Sequence, residues 1–316
     1  MNTVLKIEHL NKSFGSRKIL HDISFETYEG EVFGFLGPNG AGKTTTIKIA
    51  VGMLALDEGN ITIGGYNMRK NFEQAMAQIG GIVENPEFYK YLSGLDNLRQ
   101  YARMREGITE ERIREVIHLV GLDNRINDKV GKYSLGMRQR LGVAQAILHH
   151  PRVLILDEPT NGLDPAGIKE LRDILKNLAH EEKVGVLVSS HLMSEMELMC
   201  DRVGVIVNGI MIDEKPIDEL IAAVAPDKTD YIYSVSDPDA FIEKLDFIPS
   251  ENIIKNEDNT VDVILSKEDA KDNLSRINKL IIDSGIELYT VSPKENKKLE
   301  DVFIELTNTS GGVQIA

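Results

Sequence analysis

Short apolar runs, separated by segments with a helical period, fill most of the chain up to about residue 225. The runs at residues 31–36, 153–156 and 184–188 have the length of buried strands. Residues 109–120 place apolar side chains three and four apart, which predicts an amphipathic helix ended by Gly121. Because a membrane span needs roughly eighteen or more apolar residues in a row, these runs predict none. The pattern indicates an α/β fold.

The pattern changes after residue 225. A polar stretch at residues 226–230 predicts a linker. The order of strands and helices beyond it predicts a small α+β accessory domain of ferredoxin-like type. Its predicted elements are a strand at 231–235, a helix at 238–245, a strand at 261–265, a helix at 267–283, a strand at 286–291 and a last helix at 299–306. The predicted domains are therefore 1–225, with a helical subdomain at about 85–150, and 226–309, followed by a disordered tail at 310–316.

The charge balance argues against nucleic acid as the main partner. Asp and Glu number 50 against 36 Lys and Arg, a net charge of −14, and we expect no nucleic-acid-binding surface. Cys200 is the only cysteine and cannot form an internal disulfide, which favours a reducing cytoplasm. The first residues are too polar for a signal peptide. We therefore expect a cytoplasmic protein that reaches a membrane only through a partner.

A glycine-rich loop follows the strand predicted at 31–36, and an apolar helix pattern follows the loop. Glycine, four residues and then Gly-Lys-Thr is the spacing of a phosphate-binding P-loop. Glycines let backbone N–H groups approach phosphate oxygens, and the helix N-terminus adds the positive end of its dipole. Lys43 can reach the β- and γ-phosphates of ATP, and the Thr44 hydroxyl can ligate Mg²⁺. The predicted ATP-binding residues of the loop are Gly37, Pro38, Asn39, Gly40, Ala41, Gly42, Lys43, Thr44 and Thr45.

Two carboxylates follow the strand predicted at 153–156. Asp157 and Glu158 would lie at the carboxyl edge of the sheet, where ligands of open α/β sheets bind. We expect Asp157 to hold Mg²⁺ and Glu158 to polarise the attacking water as a general base. P-loops serve kinases, GTPases, helicases and transporters, so these residues alone leave the class of protein open.

Further motifs resemble those of ATP-binding-cassette (ABC) ATPases, in the order that this family has. Residues 133–140, Tyr-Ser-Leu-Gly-Met-Arg-Gln-Arg, resemble the signature usually written Leu-Ser-Gly-Gly-Gln, and residues 161–164 resemble the D-loop. His191 matches the switch histidine, and Phe14 the aromatic residue that stacks on adenine, although Phe14 could also be a core side chain. The resemblance covers residues 1–220 and implies a P-loop cassette with a mixed sheet, flanking helices and a helical subdomain.

The resemblance also implies that two cassettes work together, here expected to be identical. ATP held by one P-loop would be covered by Ser134, Leu135 and Gly136 of the opposite cassette, and Asp164 would couple the two sites. Ser134 by itself would equally suit a helix N-cap. His191 would keep the γ-phosphate and the attacking water in line. Hydrolysis would open the dimer and so drive a separately encoded transmembrane permease.

One position departs from the general family pattern. Glu84 stands where the family carries a glutamine; it could still ligate Mg²⁺, but it adds negative charge beside the phosphates. Glu84, together with Leu135 and Met137 in the signature, resembles the bacitracin-type and lantibiotic self-protection exporters. The expected cargo is therefore an antimicrobial peptide or a hydrophobic drug. An incidental substitution in a general drug exporter stays open as an alternative.

Two further segments bear on the partner. In the family, residues 85–98 would form the groove that receives the permease, and aromatic side chains there suit docking of an amphipathic helix. Residues 299–307 resemble the last helix of drug- and peptide-exporting ABC ATPases. We expect the protein at the cytoplasmic face of the membrane, bound through the permease. One alternative is a soluble ABC ATPase of ribosomes or DNA, which usually has two cassettes or a coiled-coil insertion; another is an import ATPase, which Glu84 and the export-like segment disfavour.

Overall fold

The described part of the chain covers residues 2–224, 228–266 and 269–294 of a computed structural model. It forms two units that divide between Glu219 and Leu220. In chain order the elements up to residue 224 are β1 (Thr3–Phe14), β2 (Arg17–Tyr28), β3 (Val32–Leu36), α1 (Lys43–Ala50), β4 (Glu58–Ile63), β5 (Tyr66–Asn67), α2 (Phe72–Met76), β6 (Ile79–Ile82), α3 (Gly94–Ala102), α4 (Glu110–Leu119), α5 (Leu135–Ile147), β7 (Val153–Asp157), α6 (Pro165–His180), β8 (Gly185–Ser190), α7 (Met193–Met199), β9 (Arg202–Val207), β10 (Ile210–Pro216) and α8 (Ile217–Val224).

A six-stranded mixed sheet forms the centre of the first unit. Its strand order is β10-β9-β3-β8-β7-β6; β10 is antiparallel to β9, and the other neighbours are parallel. Strands β3, β7 and β8 are buried along their whole length, as is typical of parallel strands whose two faces are both covered. That burial explains why the sequence shows them as unbroken apolar runs. The predicted α/β class with a mixed sheet is confirmed.

The register of the central strands brings three chain segments to one edge of this sheet. Leu36 at the end of β3 lies opposite Ser190 of β8, and Asp157 at the end of β7 lies opposite Ser189 of β8. The glycine-rich loop, the two carboxylates and the segment of His191 therefore all leave the sheet at its carboxyl edge. Open α/β sheets bind their ligands at that edge.

A second, antiparallel sheet has the order β2-β1-β4-β5. Its apolar residues share a core with the central sheet, and Phe25 of β2 stacks on Phe33 and Phe35 of β3 at centroid distances of 5.2 and 5.1 Å. This packing fixes β3, and with it the start of the glycine-rich loop, because close-packed interiors leave little freedom to shift.

Helices α3, α4 and α5 fall within the predicted helical subdomain. Each begins after an N-cap residue whose side-chain hydroxyl accepts a hydrogen bond from a backbone N–H of the first turn; the caps are Ser93, Thr109 and Ser134 respectively. In α4 the predicted apolar stripe is buried, and Gly121 follows in the left-handed conformation with φ of +63°. The stripe packs in the interior as expected: Ile113, Val116, Ile117 and Val120.

Between residues 228 and 294, the described residues of the second unit form a four-stranded antiparallel sheet with two α-helices. Its elements are β11 (Lys228–Val235), α9 (Pro238–Lys244), β12 (Ile253–Lys255), β13 (Thr260–Ser266), α10 (Ala270–Asp283) and β14 (Leu288–Pro293). The order along the chain is βαββαβ and the order in the sheet is β12-β13-β11-β14, the arrangement of ferredoxin-like domains. Tyr233, Phe241 and Ile277 are fully buried in its core.

Some predicted boundaries in this unit were wrong. Lys228, Thr229 and Asp230, predicted as linker, begin β11, where they pair with Ser266, Leu265 and Ile264 of β13. Their polar side chains are typical of a loop, so the sequence pattern did not indicate a strand. Strand pairing uses backbone hydrogen bonds, which do not depend on the polarity of the side chains. Strand β14 begins at Leu288, two residues later than the predicted start at 286. The short β12 was not predicted.

Other predictions for the C-terminal part lie outside the described residues. These are the last helix at 299–306, the tail at 310–316 and the first residues of the helix at 267–283, of which α10 covers Ala270–Asp283. The assignment of residues 226–309 to an accessory domain stays a prediction. None of the helices in the described ranges combines the length and the apolar character that crossing a bilayer requires.

Candidate functional site

At two positions of the glycine-rich loop, Gly37 and Gly42, the backbone leaves no room for a side chain. A Cβ atom on Gly37 would lie 2.3 Å from the Ile206 carbonyl oxygen, and one on Gly42 would lie 2.6 Å from Leu20. Gly42 also has φ of +111° and is the N-cap of α1, with no side chain capping the helix. The backbone N–H groups at this end of α1 thus form a cradle for an anion, strengthened by the helix dipole.

Lys43 lies inside this loop. Its side chain is 3% exposed, and Nζ donates to the carbonyl oxygens of Gly37 and Pro38 at 2.7 and 3.1 Å. The same Nζ is 3.6 Å from Glu158 Oε1. Burial lowers the pKa of Lys43, and the carboxylates of Glu158 and Asp157 oppose that shift. A buried ammonium at the mouth of an anion cradle is suited to a polyphosphate.

Ser189 joins the Asp157 carboxylate to the backbone of Glu158. Asp157 is buried, and the Ser189 hydroxyl donates to its Oδ1 at 2.7 Å. The same hydroxyl accepts a hydrogen bond from the Glu158 N–H at 3.0 Å. Glu158 has φ of +46°, in the left-handed region that is uncommon for residues other than glycine. Such strain often marks a functional position.

Glu158 also contacts His191, a contact that the sequence analysis did not predict. The His191 Nδ1 atom is 3.0 Å from Glu158 Oε2, and the Asn161 amide donates to the same oxygen. Glu158 is thereby held between Lys43 on one side and His191 with Asn161 on the other. Sequence reasoning gave no role to Ser189 or Asn161, although Asn161 lies in the motif at 161–164 and Ser189 lies two residues before His191.

Glu84 lies at the same sheet edge and forms an ion pair. It has φ of +65°, and its Oε1 is 2.8 Å from Lys48 Nζ on α1. The hydrogen bond with Lys48, followed by its charge, lowers the pKa of Glu84; in turn Glu84 and, more weakly, Asp157 raise the pKa of Lys48. The Glu84 side chain is largely exposed.

The donors at this edge fit Mg²⁺. Thr44 contributes a hydroxyl from the first turn of α1, Asp157 a buried carboxylate, and Glu84 a second carboxylate. Mg²⁺ in nucleotide sites takes one or two carboxylates together with phosphate oxygens, so these hard oxygen donors suit it.

Phe14 lies at the end of β1 and is 49% exposed, which excludes the alternative that it is a core side chain. The Lys12 ammonium stands 5.4 Å from the centre of its ring. Lys12 is itself fixed by Asp57 and by the Ala55 carbonyl oxygen, both at 2.7 Å. An exposed, cation-supported ring suits stacking on a planar base.

The signature residues form a separate part of the surface. The Ser134 hydroxyl accepts from the Met137 N–H at 3.2 Å and so caps α5, as expected of it. Asp164 caps α6 in the same way, by accepting from the Gly167 N–H at 2.9 Å. The two helix starts are neighbours: a Cβ on Gly136 would lie 3.7 Å from Gly167, and one on Gly162 would lie 3.1 Å from Leu135.

The residues directly after Glu84 line a cavity of about 670 Å³. Tyr89 and Tyr91 line it and are exposed, whereas Phe88 packs edge-on against Tyr101 at 6.4 Å. The predicted aromatic groove is thus present. Its lining consists of Asn85, Pro86, Glu87, Phe88, Tyr89, Lys90, Tyr91, Val130, Gly131, Leu135 and Arg138.

Comparison with known proteins gives consistent matches. The family model described as "ABC transporter" matches residues 20–161. The chain is 49% identical, over 97% of both chains, to the "uncharacterized ABC transporter ATP-binding protein YhcH" of Bacillus subtilis. It is 38% identical, over 97% of its own length and 98% of the relative, to the bacitracin transport ATP-binding protein BcrA of Bacillus licheniformis. The structure of cbiO1 from Clostridium perfringens, part of the ABC transporter complex cbiONQ, superposes with a TM-score of 0.65 and 26% identity, over 70% of this chain and 92% of cbiO1.

Proposed function

The chain belongs to the ATP-binding subunits of ABC transporters, and we propose that it hydrolyses ATP to drive a separate transmembrane permease that exports a peptide. The observation that carries this proposal is the position of Glu158, which contacts both the buried Lys43 of the phosphate loop and His191. A carboxylate between a phosphate-binding ammonium and a histidine suits the activation of water for attack on a terminal phosphate.

In this proposal Glu158 accepts a proton from the attacking water. The water oxygen bonds to the γ-phosphorus of ATP, and the bond to the β-phosphate oxygen breaks, giving ADP and phosphate. The Ser189 hydroxyl and the Asn161 amide hold the two ends of Glu158 in place. His191, 3.0 Å from the same carboxylate, orients the water and the γ-phosphate. General-base catalysis of this kind contributes on the order of 10²- to 10⁴-fold in rate.

Charge stabilisation comes from the phosphate loop. Lys43 leaves the carbonyl oxygens of Gly37 and Pro38 for the β- and γ-phosphates, and the N–H groups at the start of α1 bind the remaining oxygens. Mg²⁺, held by Thr44, Asp157 and Glu84, would supply positive charge at the same phosphates. The exposed ring of Phe14 stacks on the adenine.

Two copies of the cassette complete the site. Ser134, Leu135 and Gly136 lie beside the loop of Asp164, at neighbouring helix starts that are suited to face a second molecule. In a two-fold dimer the same patch is used twice, so each signature covers the nucleotide of the other copy and Asp164 links the two sites. ATP holds the pair together, and hydrolysis releases it.

The partner and the cargo follow from the aromatic cavity and from the relatives. Tyr89 and Tyr91 offer an amphipathic helix of a permease an exposed aromatic surface. A relative at 38% identity over nearly its full length is named for bacitracin transport, which supports export of an antimicrobial peptide and a place at the cytoplasmic face of the membrane. The accessory domain, residues 226–309, is part of the same subunit.

Affinity capture from the native membrane tests this proposal. The tagged Glu158→Gln variant, loaded with Mg-ATP, is purified from detergent-solubilised source cells, with the same variant in Mg-ADP as the control. A polytopic membrane protein enriched in both preparations is the expected result, because permease docking uses the cavity and not the nucleotide. Ribosomal proteins or DNA without any membrane protein would instead favour a soluble ABC ATPase and contradict the transport function.

A further inference from the structure

Helix α1 carries two lysines, each facing one glutamate at the carboxyl edge of the central sheet. Lys43 faces Glu158 with Nζ 3.6 Å from Oε1, within the catalytic arrangement already described. Lys48 faces Glu84 with Nζ 2.8 Å from Oε1. The chemistry proposed above uses Glu84 as a metal ligand but gives no role to Lys48, although Lys48 lies on the same helix as Lys43.

The position of Glu84 makes its charge a difficulty for nucleotide binding. Strand β6 pairs in parallel with β7, and Ile82 lies opposite Leu156. Glu84 therefore leaves the sheet at the level of Asp157 and Glu158, adding a third carboxylate to an edge that is to receive a polyphosphate. Like charges gathered at one edge repel each other and a bound polyphosphate, and the repulsion is stronger where the nucleotide excludes water.

We propose that Lys48 is a positioning residue for Glu84. It neutralises the carboxylate and holds it on α1 while the phosphate loop lacks Mg-ATP, and it releases the carboxylate to the metal when Mg-ATP binds. The proposal rests on the ATP-binding function proposed above and deepens it, because it gives the acidic residue two alternative partners. Lys48 itself touches neither the nucleotide nor the metal.

The Lys48–Glu84 ion pair is weak and exposed, which suits a contact that Glu84 must leave when Mg-ATP binds. The Glu84 side chain is 70% exposed and the Lys48 side chain 28% exposed, and exposed ion pairs contribute little net stability. Glu84 is also the first residue after β6 to adopt a left-handed backbone, with φ of +65°. The left-handed backbone of Glu84 therefore sets the direction of its side chain, and the ion pair with Lys48 is a weak, reversible contact.

The test is a comparison of nucleotide affinity with and without metal. Binding of a non-hydrolysable ATP analogue is measured by calorimetry in Mg²⁺ and in EDTA, for the wild type, Lys48→Gln, Glu84→Gln and the double variant. We expect Lys48→Gln to weaken metal-free binding by about five-fold, because Glu84 is then unneutralised beside the phosphates. Binding in Mg²⁺ should change less than about two-fold, since the freed carboxylate now ligates the metal.

Two further comparisons separate positioning from general charge loss. In the Glu84→Gln background, Lys48→Gln should no longer alter the ratio of the two affinities, and Lys48→Arg alone should restore the wild-type ratio. Lys6→Gln, which removes an exposed lysine paired with Glu8 and Glu26 on β1 and β2, is the matched control and should leave the ratio unchanged. An equal loss of affinity in Mg²⁺ and EDTA for Lys48→Gln, or a loss that persists without Glu84, would overturn the inference.

Failure of the inference is distinguishable from failure of the proposed function. A wild-type protein that does not bind the analogue under either condition contradicts ATP binding itself. A wild type that binds with a clear preference for Mg²⁺, while Lys48→Gln behaves like Lys6→Gln, contradicts only the role of Lys48.

Discussion

At the scale of single residues, the Ser189 hydroxyl connects the Asp157 carboxylate to the Glu158 backbone. It donates to Asp157 Oδ1 at 2.7 Å and accepts from the Glu158 N–H at 3.0 Å. Ser189 is fully buried, so water cannot replace either bond without rearrangement. One oxygen atom thus holds the carboxylate that we propose as a metal ligand against the backbone of the proposed general base.

Replacing Ser189 by alanine should slow ATP turnover. The change leaves the Glu158 N–H and one Asp157 oxygen without their partner, and such losses cost about 1–3 kcal/mol each. We expect kcat to fall by about ten-fold or more, with a smaller change in KM, measured by steady-state phosphate release. Ser190→Ala is the matched control, because Ser190 is equally buried but serves only the Leu192 N–H. Equal turnover in both variants would show that Ser189 does not organise the carboxylates.

The candidate catalytic residues that belong to sequence motifs could be predicted from the sequence, whereas the residues that hold them in place could not. Lys43, Glu158 and His191 stand in motifs whose order identifies them, and the structure brings them into contact. Ser189 acts through distances that depend on how strands β7 and β8 are paired, and Asn161 through the turn that brings its amide back to Glu158. The contact of Lys48 with Glu84 likewise needs the parallel register of β6 and β7, which periodicity does not reveal.

At the scale of elements, His149 ties the segment after α5 to the edge strand β6. Its Nε2–H donates to the Ile79 carbonyl oxygen at 2.8 Å. Burial lowers the pKa of His149 to about 4, and the positive charge of Arg105 adds to the shift, with smaller effects from His150 and Arg112. The helical part of the cassette is thus joined to the central sheet by a neutral imidazole.

This depressed pKa predicts a pH-dependent contribution to stability. Between pH 6.5 and about 4 the unfolded chain binds the proton more readily than the folded chain, so the free energy of unfolding decreases as pH falls through this window. Above pH 6.5 the contribution is fully present. We expect the urea midpoint of the wild type to fall more between pH 7 and pH 5 than that of His149→Gln. His118→Gln, at an exposed histidine, should keep the wild-type dependence. Parallel curves for the wild type and His149→Gln would refute this role.

Elements with a strong side-chain pattern were the predictable ones. Helix α4 has a stripe of apolar residues, a capping threonine and a terminal glycine, and its bounds agree with the prediction to within a residue. Strand β11 begins with Lys228, Thr229 and Asp230, whose side chains are typical of loops, and only the pairing with β13 shows them to be strand. Backbone pairing between distant segments is the information that a local pattern lacks.

At the scale of the whole molecule, the order of the motifs identified the cassette fold before any distance was known. The resemblance to the family implied the mixed sheet and the helical segment between β6 and β7, and the predicted elements indicated the α+β character of the second unit although they lacked β12. The assembly does not, because an interface between copies depends on which surfaces of a chain remain uncovered. The starts of α5 and α6, with Ser134 and Asp164 as caps, form such a surface in the first unit.

The central claim is that Mg-ATP joins two copies of this cassette and that Glu158-dependent hydrolysis separates them. The direct measurement is the molar mass of purified Glu158→Gln by light scattering, in Mg-ATP and in Mg-ADP. We expect twice the mass of the chain in Mg-ATP and the mass of one chain in Mg-ADP, while the wild type returns to one chain as phosphate is released. Ser134→Asp, which preserves the helix cap but places a negative charge toward the opposite nucleotide, should stay at the mass of one chain when introduced into Glu158→Gln. A Glu158→Gln protein that binds Mg-ATP yet keeps the mass of a single chain would contradict the claim.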